Sequence, residues 1–294
     1  MLALLVKPTV WKSRKGKRTI SELVNAGAIV LQGNDAQTLR LEIAGLHKEH
    51  EELIIVACGG DGTVHLALNS LPNREISLAV IPLGTGNDFA RYLKIKNPQT
   101  GLEILHAGAW RQIDFGLIET SDGNTHKFLG VASCGFDAQV NERANTYRGP
   151  SGTLKYLVAL FVELSKMSVC DFNVEPKSSA KFSEKLTLVA VGNTSSYGGG
   201  MKICPTANAS DGQFEITYVA QVTRRLLVRV LPKVFWGGHV KHPKVRQGSD
   251  SAIALGGASF PVYADGERVG VGPIKVMLIP GGVRVWQAQA TTTP

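Results

Sequence analysis

Cysteine is scarce in this chain. Only Cys58, Cys134, Cys170 and Cys204 occur among 294 residues, and no two form a Cys-x-x-Cys pair. That spacing shows no thiolate metal cage, and because each cysteine lies in or beside an apolar or motif segment, free thiols in a reducing compartment are expected. Long apolar runs are absent too: none approaches the ~20 residues that a membrane-spanning helix needs. The opening Met1-Leu2-Ala3-Leu4-Leu5-Val6 has no basic flank and stops at Lys7-Pro8, so it reads as a first strand and not as a signal sequence. There is no internal repeat and no tail of biased composition. Acidic residues are in deficit, 24 against 32 Lys and Arg, and the resulting charge of +8 suggests an anionic partner. What remains, 44% apolar and 19% charged, is ordinary globular material for one large core or two modest ones.

Glycine is present where it carries chemistry. Gly59-Gly60-Asp61-Gly62-Thr63 follows the apolar run 53–57 and precedes a helix-like stretch 64–71, in which Val64, Leu68 and Leu71 share one face. The glycines therefore sit at a strand-to-helix turn, where bare backbone N–H groups can approach a phosphate and Asp61 can hold a divalent cation. A helix cap at Asp61 is the plainer alternative. A second buried-strand pattern, 77–81, runs into Pro82-Leu83-Gly84-Thr85-Gly86-Asn87-Asp88-Phe89-Ala90-Arg91, again glycine-rich and again entering a helix. Two such turns on successive strands are what a parallel sheet presents along its carboxyl edge, and one nucleotide site could use both. This is the chemistry of a kinase.

The pair GGDGT and PLGTGNDFAR resembles the catalytic domain of the diacylglycerol kinase family in its soluble bacterial form, with sphingosine and ceramide kinases as relatives and NAD kinases further off. The likeness continues in order through Gly135-Phe136-Asp137-Ala138, Gly192-Asn193, Tyr197-Gly198-Gly199-Gly200-Met201, Pro205, Asp211-Gly212 and Asp265-Gly266-Glu267. It implies ATP and Mg²⁺ as cofactors. Gly59, Gly60, Gly62, Thr63, Gly84, Thr85, Gly86, Asn87 and Asp88 would line the nucleotide, with Asp61 on the metal. It also implies that Glu267 deprotonates a lipid hydroxyl with Asp265 beside it. A structural Mg²⁺ loop would be formed at Asp211 with carbonyls of Asn208 and Gln213, and Asp114 would join the same acidic network. A hairpin turn at Asp265-Gly266 and an Asx-turn at Asp211 are the structural alternatives. The chain departs from the family at Lys7, where an Asn is usual, and at His65-Leu66, where Asn-Glu is usual.

Element order predicts two domains. From residue 1 to 117, strands alternate with helices such as 35–46, which Asn34 or Asp35 would cap; this predicts a parallel sheet with helices on both faces. Residues 118–280 read as β-rich and sandwich-like, after a helical passage at 153–164. The resemblance adds that a strand near 283–286 returns to the first domain, so that 281–294 belong to it and the active site lies in a cleft between the two. Two basic stretches stand out. Lys12, Arg14, Lys15, Lys17 and Arg18 read as a loop after the first strand. The segment 224–246 interleaves Arg225, Arg229, Lys233, Lys241 and Lys244 with Leu, Val, Phe235 and Trp236 and has no acid. It reads either as core or as a surface docking on anionic lipid, and Pro232 with Gly237-Gly238 argues against one long helix. Nothing resembles a nucleic-acid reader, so no nucleic acid is expected as a partner. The expectation is a cytoplasmic, peripherally membrane-associated lipid kinase acting on diacylglycerol. An NAD kinase and a non-catalytic binding protein of the same fold are the alternatives; oligomeric state, a homodimer included, stays open.

Overall fold

The computed structural model describes residues 1–146, 158, 159, 162–164 and 169–288. Most of the helical passage expected at 153–164, and the residues beyond 288, lie outside these. The chain divides into two compact units, 1–113 with 281–294, and 114–280.

The first unit is a parallel sheet. Its strands β1 (Leu2–Val6), β2 (Ile29–Val30), β3 (Ile54–Gly59) and β4 (Ser77–Pro82) lie in the order β4-β3-β1-β2, every neighbouring pair parallel. β4 is buried along its whole length and β3 nearly so, as a strand covered on both faces must be. Alternation along the strands divides the cover. Leu4, Val56, Cys58, Ala79 and Ile81 form one core with Ile20 and Leu23 of α1 (Arg14–Asn25) and with Leu102 and Leu105 of the helix Pro98–Ala107. Next in the chain, α2 (Ala36–Glu49) packs on α3 (Asp61–Ser70), which rests on β3. Asp35 caps α2 by accepting from the N–H groups of Gln37 and Thr38, both at 2.9 Å. α4 (Asp88–Tyr92) and α5 (Pro98–Ala107) follow β4.

The basic cluster after β1 is helical where a loop was expected. Ser13 accepts the N–H of Gly16 at 2.9 Å and so starts α1, whose cations ride on its first turns while Ile20 and Leu23 are buried. A Cβ on Gly16 would fall 2.2 Å from the Val10 carbonyl oxygen, so only glycine fits there.

The second unit is antiparallel. β5 (Ala109–Thr120) enters it and pairs with β6 (Thr125–Phe128), followed by β7 (Val131–Gly135) and α6 (Phe136–Thr146). β8 (Cys170–Pro176), β9 (Phe182–Gly192), β10 (Phe214–Ala220), α7 (Arg224–Val234), β11 (Val245–Asp250), β12 (Ala252–Gly257), β13 (Pro261–Ala264), β14 (Glu267–Val271) and β15 (Ile274–Gln287) complete it. The order is β14-β13-β7-β9-β8-β12-β15, with β10 also on β9 and β11 on β10. Alternate residues of β9 serve two cores. Val189 and Val191 join fully buried Phe128, Phe172, Phe214 and Phe260, whereas Leu188 and Ala190 meet helices α6 and α7.

The strand expected near 283–286 is the second half of β15, which begins at Ile274. The first half of β15 pairs antiparallel with β12 in the second unit, and Arg284 and Val285 pair parallel with β4 in the first. The turn signal Pro280-Gly281-Gly282 does not end the strand; Gly281 takes a φ of 55° and bends it. The segment at 224–234 is a three-turn helix despite Pro232, because that residue sits in the last turn on the exposed side, where the missing N–H leaves a carbonyl open to solvent. Gly237, at φ 76°, stops it.

Candidate active site

In the first unit the two glycine turns meet backbone to backbone. A Cβ on Gly84 would lie 2.4 Å from the Cα of Gly60, and one on Gly59 would lie 2.1 Å from Thr63 Oγ1. Side chains are thereby excluded from the floor that these turns form at the carboxyl end of β3 and β4. α3 begins at Asp61 itself with Gly60 as its N-cap, so Asp61 is the acid of the first turn and not the cap. Its Oδ1 accepts the N–H of Phe89 at 3.1 Å, which ties the start of α3 to the start of α4. A Cβ on Gly86 would fall 2.6 Å from Asp61 Oδ2, so this turn also crowds the carboxylate. Thr63 Oγ1 is buried and has no hydrogen-bond partner among the described residues.

Two residues of the second turn act on the loop itself. Asn87, held at φ 54°, accepts from the Gly84 N–H at 3.2 Å and donates its amide to the Gly84 carbonyl at 2.8 Å. Asp88 is buried and takes the Arg91 guanidinium at 2.5 Å, while Arg91 also reaches the Gly86 carbonyl at 3.0 Å. Asn87 and Asp88 are thus braces of the turn. Thr85 and Gly84 stand exposed beside them, and Gly62 lies in the first turn of α3. His65, where the chain departs from the family pattern, is buried on α3.

This floor fits a phosphate. It offers helix-start N–H groups, no Cβ, and an orphaned hydroxyl at Thr63. Among the described residues no three His, Cys, Asp or Glu side chains converge as a metal cage. Mg²⁺ does not need one, since it keeps most of its waters and takes one or two carboxylates; the half-buried Asp61 fits that demand.

In the second unit Asp265 and Gly266, at φ 54° and 82°, make the two-residue turn between β13 and β14. The hairpin and the acidic motif are therefore one feature. Asp265 accepts main-chain N–H groups from Gly130 at 2.7 Å and from Leu129 at 3.1 Å, which fixes the turn that presents Glu267 as the first residue of β14. The Gly130 carbonyl in turn accepts from the N–H groups of Asn193 and Thr194 at 2.9 and 3.1 Å. The Asn193 side chain donates to the carbonyls of Leu129 and Asp114 at 2.8 and 2.9 Å.

Asp114, only 4% exposed, has the partner that its burial demands: Oδ2 accepts the Gly212 N–H at 2.9 Å, and its own N–H reaches the Ala209 carbonyl at 2.7 Å. The loop 208–213 is held against Asp114 in this way. Exposed Asp211 closes an Asx-turn on the Gln213 N–H at 3.0 Å, and the Gln213 side chain is engaged by the Ser249 hydroxyl. Asp211 and Gln213 also line a polar hollow of about 340 Å³ with Glu215, whose carboxyl burial pushes above the usual range. One hydrogen-bonded assembly therefore joins Asp114, the 208–213 loop, Asn193 and Asp265. Asn193 holds it together without any charge, a role the motif alone does not disclose.

The cysteines contribute no nucleophile. All four are free, and burial pushes the Cys58 thiol up to about 12 and those of Cys134 and Cys204 still higher. A separate apolar cavity of about 80 Å³ lies under α7, lined by Leu227, Val230, Leu231 and Val234 with Met201 and His239. Sequence patterns gave no hint of it, because its walls come from elements distant in the chain. Among the described residues no helix is long and apolar enough to cross a membrane.

A side-chain-free turn pair on a parallel sheet, one acid at the start of a helix, and a second, β-rich unit with a clamped acidic hairpin define a kinase of the α/β-plus-β type. The profile "Diacylglycerol kinase catalytic domain" matches residues 11–118, and "YegS C-terminal NAD kinase beta sandwich-like domain" matches 130–287. A diacylglycerol kinase of Mycobacterium tuberculosis is 36% identical over 270 residues, covering 90% of this chain and 87% of that protein. One from Staphylococcus aureus is 31% identical over 239 residues, covering 79% and 73%. The chain belongs to the diacylglycerol kinase family. Its fold is also that of a Bacillus anthracis diacylglycerol kinase (TM-score 0.71, 18% identity, 99% and 98% covered). An NAD kinase from Archaeoglobus fulgidus solved with ATP is more distant (TM-score 0.53, 14% identity, 98% and 94% covered).

Proposed function

We propose that this kinase transfers the γ-phosphoryl group of ATP to a lipid hydroxyl, with diacylglycerol as acceptor and phosphatidic acid as product. The observation that carries the reading is the backbone contact of Gly60 with Gly84 around Asp61, a floor on which only a group without steric demand from side chains, such as a polyphosphate, can lie. Gly59, Gly60, Gly62, Thr63, Gly84, Thr85 and Gly86 would contact the nucleotide, while Asn87 and Asp88 keep their turn in shape. Asp61 would hold Mg²⁺, which when bound neutralises charge on the transferred group. Glu267 would take the proton of the attacking hydroxyl, and Asp265 would position it by pinning the hairpin. The 208–213 loop, with Asp211, carbonyls of Asn208 and Gln213, and Asp114 behind it, would hold a structural Mg²⁺.

A lipid acceptor is supported by the family; the apolar cavity under α7 would take only the end of an acyl chain, about three water-sized groups. The test is to incubate the full chain with γ-labelled ATP, Mg²⁺ and dispersed diacylglycerol beside NAD⁺ in lipid-free buffer. Label in phosphatidic acid is the expected result. Label in NADP⁺ alone would replace this reading with that of an NAD kinase.

A further inference from the structure

The inner and outer faces of α7 do different things. Leu227, Leu231 and Val234 pack inward with Leu188, Ala190 and Val219, which accounts for folding. The outer face carries Arg225, Arg229 and Lys233 at i, i+4, i+8 spacing beside Val228 and Pro232, and the turn after the helix adds Trp236; all six are exposed. Trp236 is 65% exposed and Val228 39%, so neither contributes much to the core. Single exposed apolar residues are ordinary, but a row of three against a row of three cations is not. No acidic residue occurs between Gln221 and Ser249 to neutralise the row, and exposed Lys241 and Lys244 extend the positive surface.

We propose that the outer face of α7 and the turn that follows it dock on an anionic lipid bilayer, with Arg225, Arg229 and Lys233 over the headgroup phosphates and Trp236, Pro232 and Val228 entering the headgroup layer. Charge complementarity selects the occupant. A bilayer interface offers a sheet of negative charge directly above an apolar layer, which is the order in which α7 presents cations and apolar groups. A polyanion such as DNA would satisfy the cations and leave Trp236, Pro232 and Val228 without a partner. In its purpose, bringing the enzyme to an acceptor dissolved in lipid, the proposal rests on the lipid-kinase reading; its test does not, because it measures binding and not phosphorylation.

The experiment floats the full chain with vesicles of phosphatidylglycerol and phosphatidylcholine, or of phosphatidylcholine alone. Binding is expected only with phosphatidylglycerol, weakening as salt rises. R225Q/R229Q/K233Q should lower the partition coefficient about 100-fold, since each cation near an anionic surface contributes about a tenfold or smaller factor. Trp236→Ala should lower it roughly fivefold, and R225K/R229K should restore it nearly to wild type. Circular dichroism of each variant should match wild type, because every substituted side chain is exposed. Phosphorylation of a short-chain diacylglycerol in detergent should be unchanged in all of them. Wild-type vesicle binding by the triple variant, or equal binding to phosphatidylcholine alone, overturns the proposal. So does tighter, equally mutation-sensitive binding to a short DNA duplex or to polyglutamate.

Discussion

At the scale of single residues, backbone geometry decides more than charge does. Gly84→Ala would drive a methyl group against the Gly60 backbone, where nothing flexible can yield. A loss of about 1–3 kcal/mol in stability is expected, together with loss of the thermal stabilisation that the proposed function predicts ATP to give the parent chain; differential scanning fluorimetry with and without nucleotide checks both. Asp265→Ala removes the acceptor for two main-chain N–H groups and places alanine at φ 54°. It should destabilise by about 2–4 kcal/mol in urea melts, with Asp265→Asn milder because asparagine tolerates the left-handed turn. His239 gives a pH signature. Burial pushes its imidazole below the usual range; the Ile203 carbonyl, which accepts from Nε2 at 3.2 Å, opposes this only in part. With the folded pKa depressed, the unfolded chain binds the extra proton between that value and 6.5. Stability should therefore fall as pH drops through 6.5 and level off below the folded pKa. His239→Gln should flatten that limb of the pH–stability profile, and an unaltered limb would assign it to other groups.

At the scale of elements, α7 is the piece whose two faces are most informative. Replacing Val230, which lines the apolar cavity, by Trp should raise KM for long-chain diacylglycerol several-fold while leaving KM for ATP unchanged, as initial-rate kinetics would reveal. Equal effects on both substrates would remove the cavity from acceptor binding. The same helix marks where sequence reading stopped. Strands β3 and β4 were legible because their apolar runs at 53–57 and 77–81 lead straight into glycine-rich turns. α7 was obscured by Pro232, whose position in the last exposed turn is invisible in a linear pattern. The full length of β15 was not legible, because Pro280-Gly281-Gly282 has the composition of a turn, yet pairing on both sides of it carries the strand through. The glycine turns and the acidic hairpin were legible as motifs. What joins the hairpin to Asp114 was not, because Asn193 works through carbonyls 64 and 79 residues away.

At the scale of the whole molecule, a surplus of eight positive charges accompanies a reaction whose donor, acceptor membrane and product are all anionic in the proposed function. In the proposed function the two units divide the chemistry, the first holding the glycine-turn floor and Asp61, the second holding Glu267 on its clamped hairpin. The rate of labelled phosphatidic acid formation by wild type, Asp61→Asn and Glu267→Gln under saturating ATP and Mg²⁺, with the thermal midpoint of each, tests this division most directly. The account predicts turnover lowered about 10²–10⁴-fold in each variant with the midpoint nearly unchanged. Turnover near wild type in either would contradict it.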